Sequence, residues 1–228
     1  MVPGMAKPLE QRPIVTVDTV LFTLQDGALA TILQTRPRPP HEGRLALIGG
    51  YLRPEQDQSL AGAAARMLAA KTGLTGLFLE QLMTFGGPDR DPRGWSLSVA
   101  YYALVPDRTL AAAPPGLAVV PLDAVPPLPF DHDAILQAAV ARLRNKGAWS
   151  SLPALLLPEM FTLPELKAVY ETVMGERLND SAFRRKMAEL RMIEEVPDAR
   201  VPATAERRRP AQLYRLARRA LVAFDRMI

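Results

Sequence analysis

Apolar residues in the first hundred positions fall into short runs rich in β-branched and aromatic side chains. IVTVDTVLFTL and ALATILQTR are two such runs, and the Asp26-Gly27 pair between them is typical of a two-residue hairpin turn. RLALIGGYL follows as a short strand region, and LFLEQLMTF and WSLSVAYYALV are strand candidates on either side of the turn-rich GGPDRDPRG. The pattern predicts a first half dominated by strands.

Two segments show helical periodicity instead. Ser59 is placed to cap a helix that runs through Lys71, with Gly73 just past its end. In DHDAILQAAVARLRNK the apolar positions recur at helical spacing, at Ile135, Leu136, Ala139, Val140 and Leu143. We therefore predict a mixed α/β domain over residues 1–147.

In residues 148–228 the sequence pattern is different: it predicts helices followed by a hairpin. SSLPALLLP favours a short helix, and TLPELKAVYETVMG carries a capping box from Thr162 to Glu165. NDSAFRRKMAELRMI predicts a third helix, capped by Asn179 or Asp180, and RMIEEV and AQLYRL are strand candidates around a basic loop. Three helices and a hairpin with a basic tip are the order of a winged helix-turn-helix domain.

The charge distribution also separates the two parts. Residues 1–159 hold 14 Lys and Arg against 14 Asp and Glu, whereas residues 160–228 hold 14 against 10, so the net charge of +4 lies wholly in the C-terminal part. A basic module favours an anionic partner, most often nucleic acid, and a solvated basic surface is the simpler alternative.

Composition excludes several other classes of protein. With no Cys, the chain has no disulfides, thiolate metal sites or thiol nucleophiles. The N-terminus lacks the apolar run of a signal peptide, and LPALLLPEMF is too short and too interrupted by Pro to span a membrane. We therefore expect a cytoplasmic protein with no membrane partner.

The stretch GGYLRPEQDQSLAGAAARMLAAKTGL resembles the Nudix box, whose helical glutamates bind Mg²⁺ or Mn²⁺ for hydrolysis of nucleoside diphosphate derivatives. The residues that match the box are Arg66, Leu68, Gly73 and Leu74. The family's three glutamate positions hold Met67, Ala70 and Lys71, and no Asp or Glu occurs from Gln58 to Leu79. None of these replacements binds a hard cation. The resemblance thus implies a Nudix-like fold with no metal site and no catalytic residue.

Further segments, in order, resemble the Nudix-related transcriptional regulators of NAD metabolism, the NrtR family. They are FGGPDRDPRGWSLSVAYYAL, FDHDAILQAAVARLRNK, FTLPELKAVYETVMG, FRRKM and RPAQLYRL, and the resemblance extends from Ile14 to Leu216. It implies a Nudix-like αβα sandwich with a mixed sheet, followed by the winged helix-turn-helix domain. It also implies a homodimeric repressor that senses ADP-ribose or a related NAD metabolite and binds a palindromic operator in double-stranded DNA.

Candidate ligand residues follow from the chemistry of a nucleoside diphosphate. Guanidinium groups pair with phosphates without metal, and an aromatic ring stacks on adenine. Trp95 is alternatively a core residue, Arg66 a structural ion-pair partner, and DRDPRG a tight loop in which Asp91 caps a turn. His132 either caps its helix or lines the pocket. The full set of predicted ligand residues is Arg36, Arg53, Arg66, Arg90, Arg93, Trp95, Phe130 and His132.

Candidate DNA contacts lie on the third helix and the hairpin of the C-terminal part. Burial of Phe183, Met187 and Leu190 directs the opposite helical face towards a major groove. On this face we expect Ser181, Arg184 and Arg185 to reach bases and Lys186 to contact phosphate. The predicted wing contacts are Arg207, Arg208, Arg209, Gln212 and Tyr214.

Two alternatives remain open. One is an active Nudix hydrolase whose metal ligands come from Glu80, Asp89 or Asp91. The other is a regulator of the same architecture that senses a sugar phosphate, because arginine side chains suit any phosphorylated ligand. A regulator that senses either an NAD metabolite or a sugar phosphate is expected to need no cofactor besides that effector.

Overall fold

The structure, a computed structural model, describes residues 12–106, 109, 115–202, 210–225 and 227–228. The strands in this part of the chain are β1 (Ile14–Gln25), β2 (Ala28–Thr35), β3 (Leu45–Ala46), β4 (Ile48–Tyr51), β5 (Phe78–Gly87), β6 (Ser96–Leu104), β7 (Leu117–Pro121), β8 (Ile193–Val201) and β9 (Ala211–Leu216). The helices are α1 (Leu60–Thr72), α2 (His132–Gly147), α3 (Leu163–Met174) and α4 (Asp180–Leu190). Short 3₁₀ turns span Leu122–Ala124 and Leu152–Leu156.

Strands β1 to β7 form one mixed sheet. Its main path runs β3-β2-β1-β6-β5, with β4 paired to β1 and β7 paired to β2. The β1–β6 pair is parallel and the other pairs are antiparallel. Asp26 and Gly27, between β1 and β2, both have positive φ, as a type I′ hairpin turn requires. The predicted hairpin is confirmed.

Alternate residues of β1 face two different helices. Val17 and Leu21 belong to apolar clusters that include α1 residues, whereas Val20 and Phe22 belong to the cluster that contains the buried face of α2. The sheet therefore lies between α1 and α2. This is the αβα sandwich that the family resemblance implies.

Helix α1 begins and ends where its sequence signals indicate. The Ser59 side chain accepts a hydrogen bond from the Gly62 backbone N at 3.0 Å, and Gly73 adopts the left-handed conformation at the C-terminus with φ 72°. The predicted helix is confirmed.

Strand β7 was not predicted. Its five residues are all half-buried, so they do not alternate, and they lie beside Pro-rich stretches that indicate a loop. The strand forms because β2 offers it a partner from Ala30 to Gln34. Pairing with a neighbour here outweighs weak local propensity.

The C-terminal part has the predicted order of helices and hairpin. Thr162 and Glu165 form the reciprocal capping box of α3, and the Asn179 side chain caps α4. Phe183 and Met187 are buried, and β8 and β9 pair antiparallel as the wing hairpin. The winged helix-turn-helix prediction is confirmed.

One continuous apolar core joins the two parts. The cluster that holds Phe22 and Leu143 also holds Tyr170 and Phe183. The Tyr170 hydroxyl donates to the Ser150 carbonyl at 2.9 Å, just after the end of α2. The predicted division after residue 147 thus separates elements that pack together. None of the helices in the described ranges combines the length and apolar character needed to cross a membrane.

Candidate functional site

A cavity of about 530 Å³ lies where α1, β1, β2 and β4 meet the loop before β6 and the first turn of α2. Of the described residues that line it, seven are cationic and two are acidic. The cations are Arg36, Arg38, Arg53, Arg66, Lys71, Arg90 and Arg93, and the acids are Asp18 and Asp91. This excess of positive charge suits an anionic ligand.

Asp18 lines the cavity and is 7% exposed. Its carboxylate accepts a hydrogen bond from Ser98 Oγ at 2.6 Å, and Arg90 Nη2 lies 3.8 Å away. A side chain at Gly49 would collide with this carboxylate, so only glycine fits there. Asp18 is not among the site residues that the sequence predicts. Its one local signal is that it is the only charged residue of strand β1.

Three of the cationic side chains are neutralised by bidentate carboxylate pairs. The pairs are Arg66–Asp57, Arg90–Asp131 and Arg93–Asp91. The hydrogen bond from Arg66 holds the pKa of Asp57 at about 2. Arg66 is therefore an ion-pair partner, one of the two roles the sequence left open. In the DRDPRG loop, Asp91 Oδ1 also accepts from the Arg93 backbone N at 3.0 Å, so this carboxylate does stabilise the turn.

Arg36 and Lys71 have carbonyl partners instead. Arg36 Nε donates to the Pro40 carbonyl at 2.7 Å, and Lys71 Nζ donates to the Gly49 carbonyl. Burial lowers the pKa of each group, and the charge of Arg36 lowers the pKa of Lys71 further, while Asp18 raises both. Within the described residues neither side chain lies at ion-pair distance from a carboxylate.

His132, at the start of α2, lines the cavity and is buried. Its Nδ1 accepts a hydrogen bond from the Leu47 backbone N at 3.1 Å, so we infer that the proton is on Nε2, 3.7 Å from Asp18. Burial lowers the pKa of His132, and the ring is neutral at pH 7. The N-cap position of α2 belongs to Asp131. His132 therefore takes the cavity-lining role of the two that the sequence allowed.

The aromatic residues of the cavity differ in part from those predicted. Trp95 is 49% exposed and does not line the cavity, so it is neither a core residue nor placed to stack a ligand there. Phe130 lines the cavity and has the Arg36 guanidinium 4.8 Å from its ring centroid. Tyr51, which is not among the predicted residues, also lines it, and Arg93 Cζ lies 5.3 Å from its ring centroid. Its position at the end of β4, beside the two glycines, was the available signal.

The residues at the Nudix glutamate positions do not fit a divalent cation. Met67 is 4% exposed and packs over Gly50, Ala70 offers no ligand atom, and Lys71 brings a positive charge. Mg²⁺ and Mn²⁺ require several oxygen ligands. Among the residues that the structure describes, no group of three or more His, Asp or Glu side chains is arranged to hold a metal.

The three acids of the hydrolase alternative do not come together. Glu80 is paired with Lys146 Nζ at 2.7 Å, outside the cavity. Asp91 lines the cavity but is occupied by Arg93. Asp89 does not line it. No joint metal site arises from these residues.

Helix α4 presents a polar face opposite its buried one. Ser181, Arg184 and Arg185 are exposed and Lys186 is half-buried, whereas Met187 is 1% exposed. Arg185 Nε lies 3.8 Å from Glu189 Oε1, a loose surface pair that contributes little and leaves the guanidinium free to exchange partners. The helix therefore has the form of a recognition helix.

The predicted wing residues have different surroundings. Gln212 is half-buried, and its Nε2 donates to the Val196 carbonyl at 2.8 Å, where it holds the irregular part of the hairpin together. The Tyr214 hydroxyl lies 3.5 Å from Glu195. Arg207, Arg208 and Arg209 fall in residues 203–209, outside the described part of the chain.

Comparison with known sequences identifies relatives of both parts. A family model described as the NrtR DNA-binding winged helix domain matches residues 153–216. The ADPR responsive transcriptional repressor NtrR of Acinetobacter baylyi is 40% identical over 220 residues, which is 90% of this chain and 82% of that protein. The ADP-ribose pyrophosphatase of Methanocaldococcus jannaschii is 30% identical over 127 residues, 55% of this chain and 72% of that enzyme.

Solved structures show the same relationship across both parts. Shewanella oneidensis NrtR superposes with a TM-score of 0.85 at 35% identity, over 94% of this chain and 100% of that one. The complex of that protein with a 27mer DNA gives a TM-score of 0.84 at 35% identity, over 94% and 99%. Its NUDIX domain complexed with ADP ribose gives 0.53 at 37% identity, over 58% and 90%. The chain therefore belongs to the NrtR family of Nudix-related transcriptional regulators.

Proposed function

We propose that the chain is a homodimeric, cytoplasmic transcriptional repressor whose Nudix-like part binds ADP-ribose or a related NAD metabolite and thereby alters operator binding. One observation carries this proposal: the part of the chain that holds the strongly cationic cavity and the part that exposes a basic helix are joined by one continuous apolar core. The Acinetobacter repressor and the ADP-ribose complex of the Shewanella protein support the choice of effector.

DNA is bound through α4 and the wing. Arg184 and Arg185 donate to guanine in the major groove, beside Ser181, and Lys186 contacts phosphate. Two protomers place their helices about one turn of DNA apart, so the operator is a palindrome. Tyr214 contacts the adjacent phosphate backbone, and Gln212 supports the wing through hydrogen bonds to backbone carbonyls. The sequence predicts backbone or minor-groove contacts for Arg207, Arg208 and Arg209.

The β1–β2 hairpin connects the ligand cavity to the helices of the DNA-binding part. Its β2 end reaches the cavity at Arg36, while at its turn the Gly27 carbonyl accepts a hydrogen bond from Thr172 Oγ1 of α3 at 3.1 Å. Helix α3 packs against α4 through an edge contact between Tyr170 and Phe183, whose ring centroids are 5.7 Å apart. A shift of the hairpin on ligand binding thus reaches the recognition helix, with a coupling of about 1–3 kcal/mol.

The effector is bound without a metal or other cofactor and is not hydrolysed. Met67, Ala70 and Lys71 leave the usual catalytic metal without ligands, and arginines bind phosphate without one. A sensor that destroyed its ligand would erase its own signal.

Gel shifts with DNA from the promoters the protein controls test the regulatory function. At about 50 mM salt the protein should retard a palindromic fragment, and millimolar ADP-ribose should release it. Failure to bind any promoter DNA at this salt concentration, where phosphate contacts are strongest, would refute DNA binding. Release by a sugar phosphate but not by ADP-ribose would instead support the regulator with a different effector.

Catalytic inactivity has a separate test. We expect no AMP when the protein is incubated with ADP-ribose and Mg²⁺ overnight. Turnover that disappears on Asp91→Asn substitution would contradict the proposal and establish the hydrolase alternative.

A further inference from the structure

We propose that Arg36 and Lys71, rather than the ion-paired arginines of the cavity, form the subsite that binds the diphosphate of the effector. This inference rests on the proposed function and assigns the residues that recognise its ligand. The inference distinguishes two partly buried cavity cations that have no carboxylate partner in the described part of the chain from three arginines that are already neutralised by one.

The ion-paired arginines are occupied by protein carboxylates. Arg90 donates to both oxygens of Asp131, at 2.9 and 2.8 Å, and its side chain is 7% exposed. Arg93 makes the equivalent pair with Asp91 at 2.8 and 2.5 Å. A phosphate that approached either guanidinium would meet a neutralised charge and a nearby carboxylate.

Arg36 and Lys71 have the opposite character. Each is partly buried, and its hydrogen-bond partner is a backbone carbonyl, Pro40 O for Arg36 and Gly49 O for Lys71. Only Nε of Arg36 is engaged, so both terminal amino groups of its guanidinium remain available among the described contacts. Both side chains line the same cavity, and the charge of Arg36 lowers the pKa of Lys71, so an anion bound between them would relieve that repulsion.

The surroundings fit a nucleoside diphosphate better than an isolated anion. The Phe130 ring packs against Arg36, and the Tyr51 ring lines the same cavity with half of its surface exposed. Of the four cavity cations without a carboxylate partner among the described residues, Arg38 and Arg53 are exposed, whereas Arg36 and Lys71 are partly buried. Apolar rings beside two partly buried cations suit a ligand that carries both a base and phosphates. A cavity of about 530 Å³ accommodates a molecule of that size.

Calorimetric titration of the full-length protein with ADP-ribose, in EDTA, tests the subsite. Lys71→Met and Arg36→Met should each weaken binding about 10- to 100-fold, because each removes a charge-assisted hydrogen bond to phosphate. Lys71→Arg should retain most of the affinity. Lys146→Met, which removes a lysine outside the cavity that is paired with Glu80, is the matched control and should bind as the unmodified protein does.

Thermal unfolding of the same variants excludes a merely structural role. Because burial disfavours the charge of Lys71, its replacement by Met should leave the unfolding midpoint unchanged or raise it while binding weakens. Inorganic pyrophosphate is the second probe, and its affinity should fall by a similar factor in both variants.

The outcomes separate the subsite from the proposed effector. If the unmodified protein binds ADP-ribose and both Met variants bind it equally well, the subsite assignment is wrong and the effector stands. If the protein binds pyrophosphate but not ADP-ribose, and the variants lose pyrophosphate, the effector is wrong and the subsite stands. Equal losses for Arg66→Met and Lys71→Met would also overturn the distinction between paired and unpaired cations.

Discussion

Replacement of Arg90 by Met should be among the most destabilising single changes at the cavity. Arg90 lies between Asp131 and Asp18. Its side chain is 7% exposed, and the side chains of these two carboxylates are 21% and 9% exposed. Met keeps the apolar length of the side chain but leaves both carboxylates without their cation. Removing one partner of a buried pair costs about 3–5 kcal/mol. We expect a loss of about 3 kcal/mol, at the low end of that range, because Asp131 regains water.

Urea unfolding followed by circular dichroism measures this loss. With an m-value of about 2–3 kcal/mol/M, the midpoint should fall by about 1–1.5 M. Arg90→Lys should not restore it, since an ammonium cannot make two parallel hydrogen bonds to a carboxylate.

The control is Arg215→Met, which removes an ion pair with Glu194 whose side chains are 57% and 51% exposed. Such a surface pair contributes about 1 kcal/mol or less. A midpoint for Arg90→Met that moves no further than that of Arg215→Met would refute the claim that the buried network stabilises the fold.

Three further predictions concern pH, DNA and coupling. Because burial lowers the pKa of His132, the unfolded chain takes up a proton on this residue at a higher pH than the folded protein does, and the folded state loses stability as the pH falls below 6.5, by up to about 1.4 kcal/mol per pH unit. His132→Asn should reduce this dependence of the unfolding free energy on pH, measured by urea titrations at several pH values. Arg184→Ala should weaken specific operator binding by about 1–3 kcal/mol, measured by fluorescence anisotropy. By the same assay, Lys186→Ala should reduce the slope of log binding constant against log salt concentration by about one. Thr172→Val, which removes the hydrogen bond to Gly27, should preserve DNA binding and shift the ADP-ribose concentration needed for release; an unchanged release curve would exclude this contact from the coupling route.

Regular elements with strong local signals were predictable from the sequence. The Asp26-Gly27 turn, the Ser59 and Asn179 caps and the Thr162 capping box all lie where their residue types indicate. Each depends on hydrogen bonds between residues at most three positions apart. Strand β7 was missed because its existence depends on β2, a partner far away in the sequence.

The candidate site was predictable only as a set of residue types. Arg36, Arg53, Arg66, Arg90, Arg93, Phe130 and His132 do line one cavity, but Trp95 does not. The sequence gives no means to tell a paired arginine from an available one. Tyr51 and Asp18 were missed because neither belongs to a motif of its own.

The sequence by itself determined the order of elements, the two-part architecture and the absence of Asp and Glu from residues 58–79, because these depend on periodicity, turn chemistry and residue identity. Only the tertiary structure decided which cations are neutralised. Arg90 meets Asp131 across 41 residues, and Ser98 meets Asp18 across 80. Whether a charge remains available to a ligand depends on such distant pairings, since the electrostatic energy of a side chain is set by what packs around it.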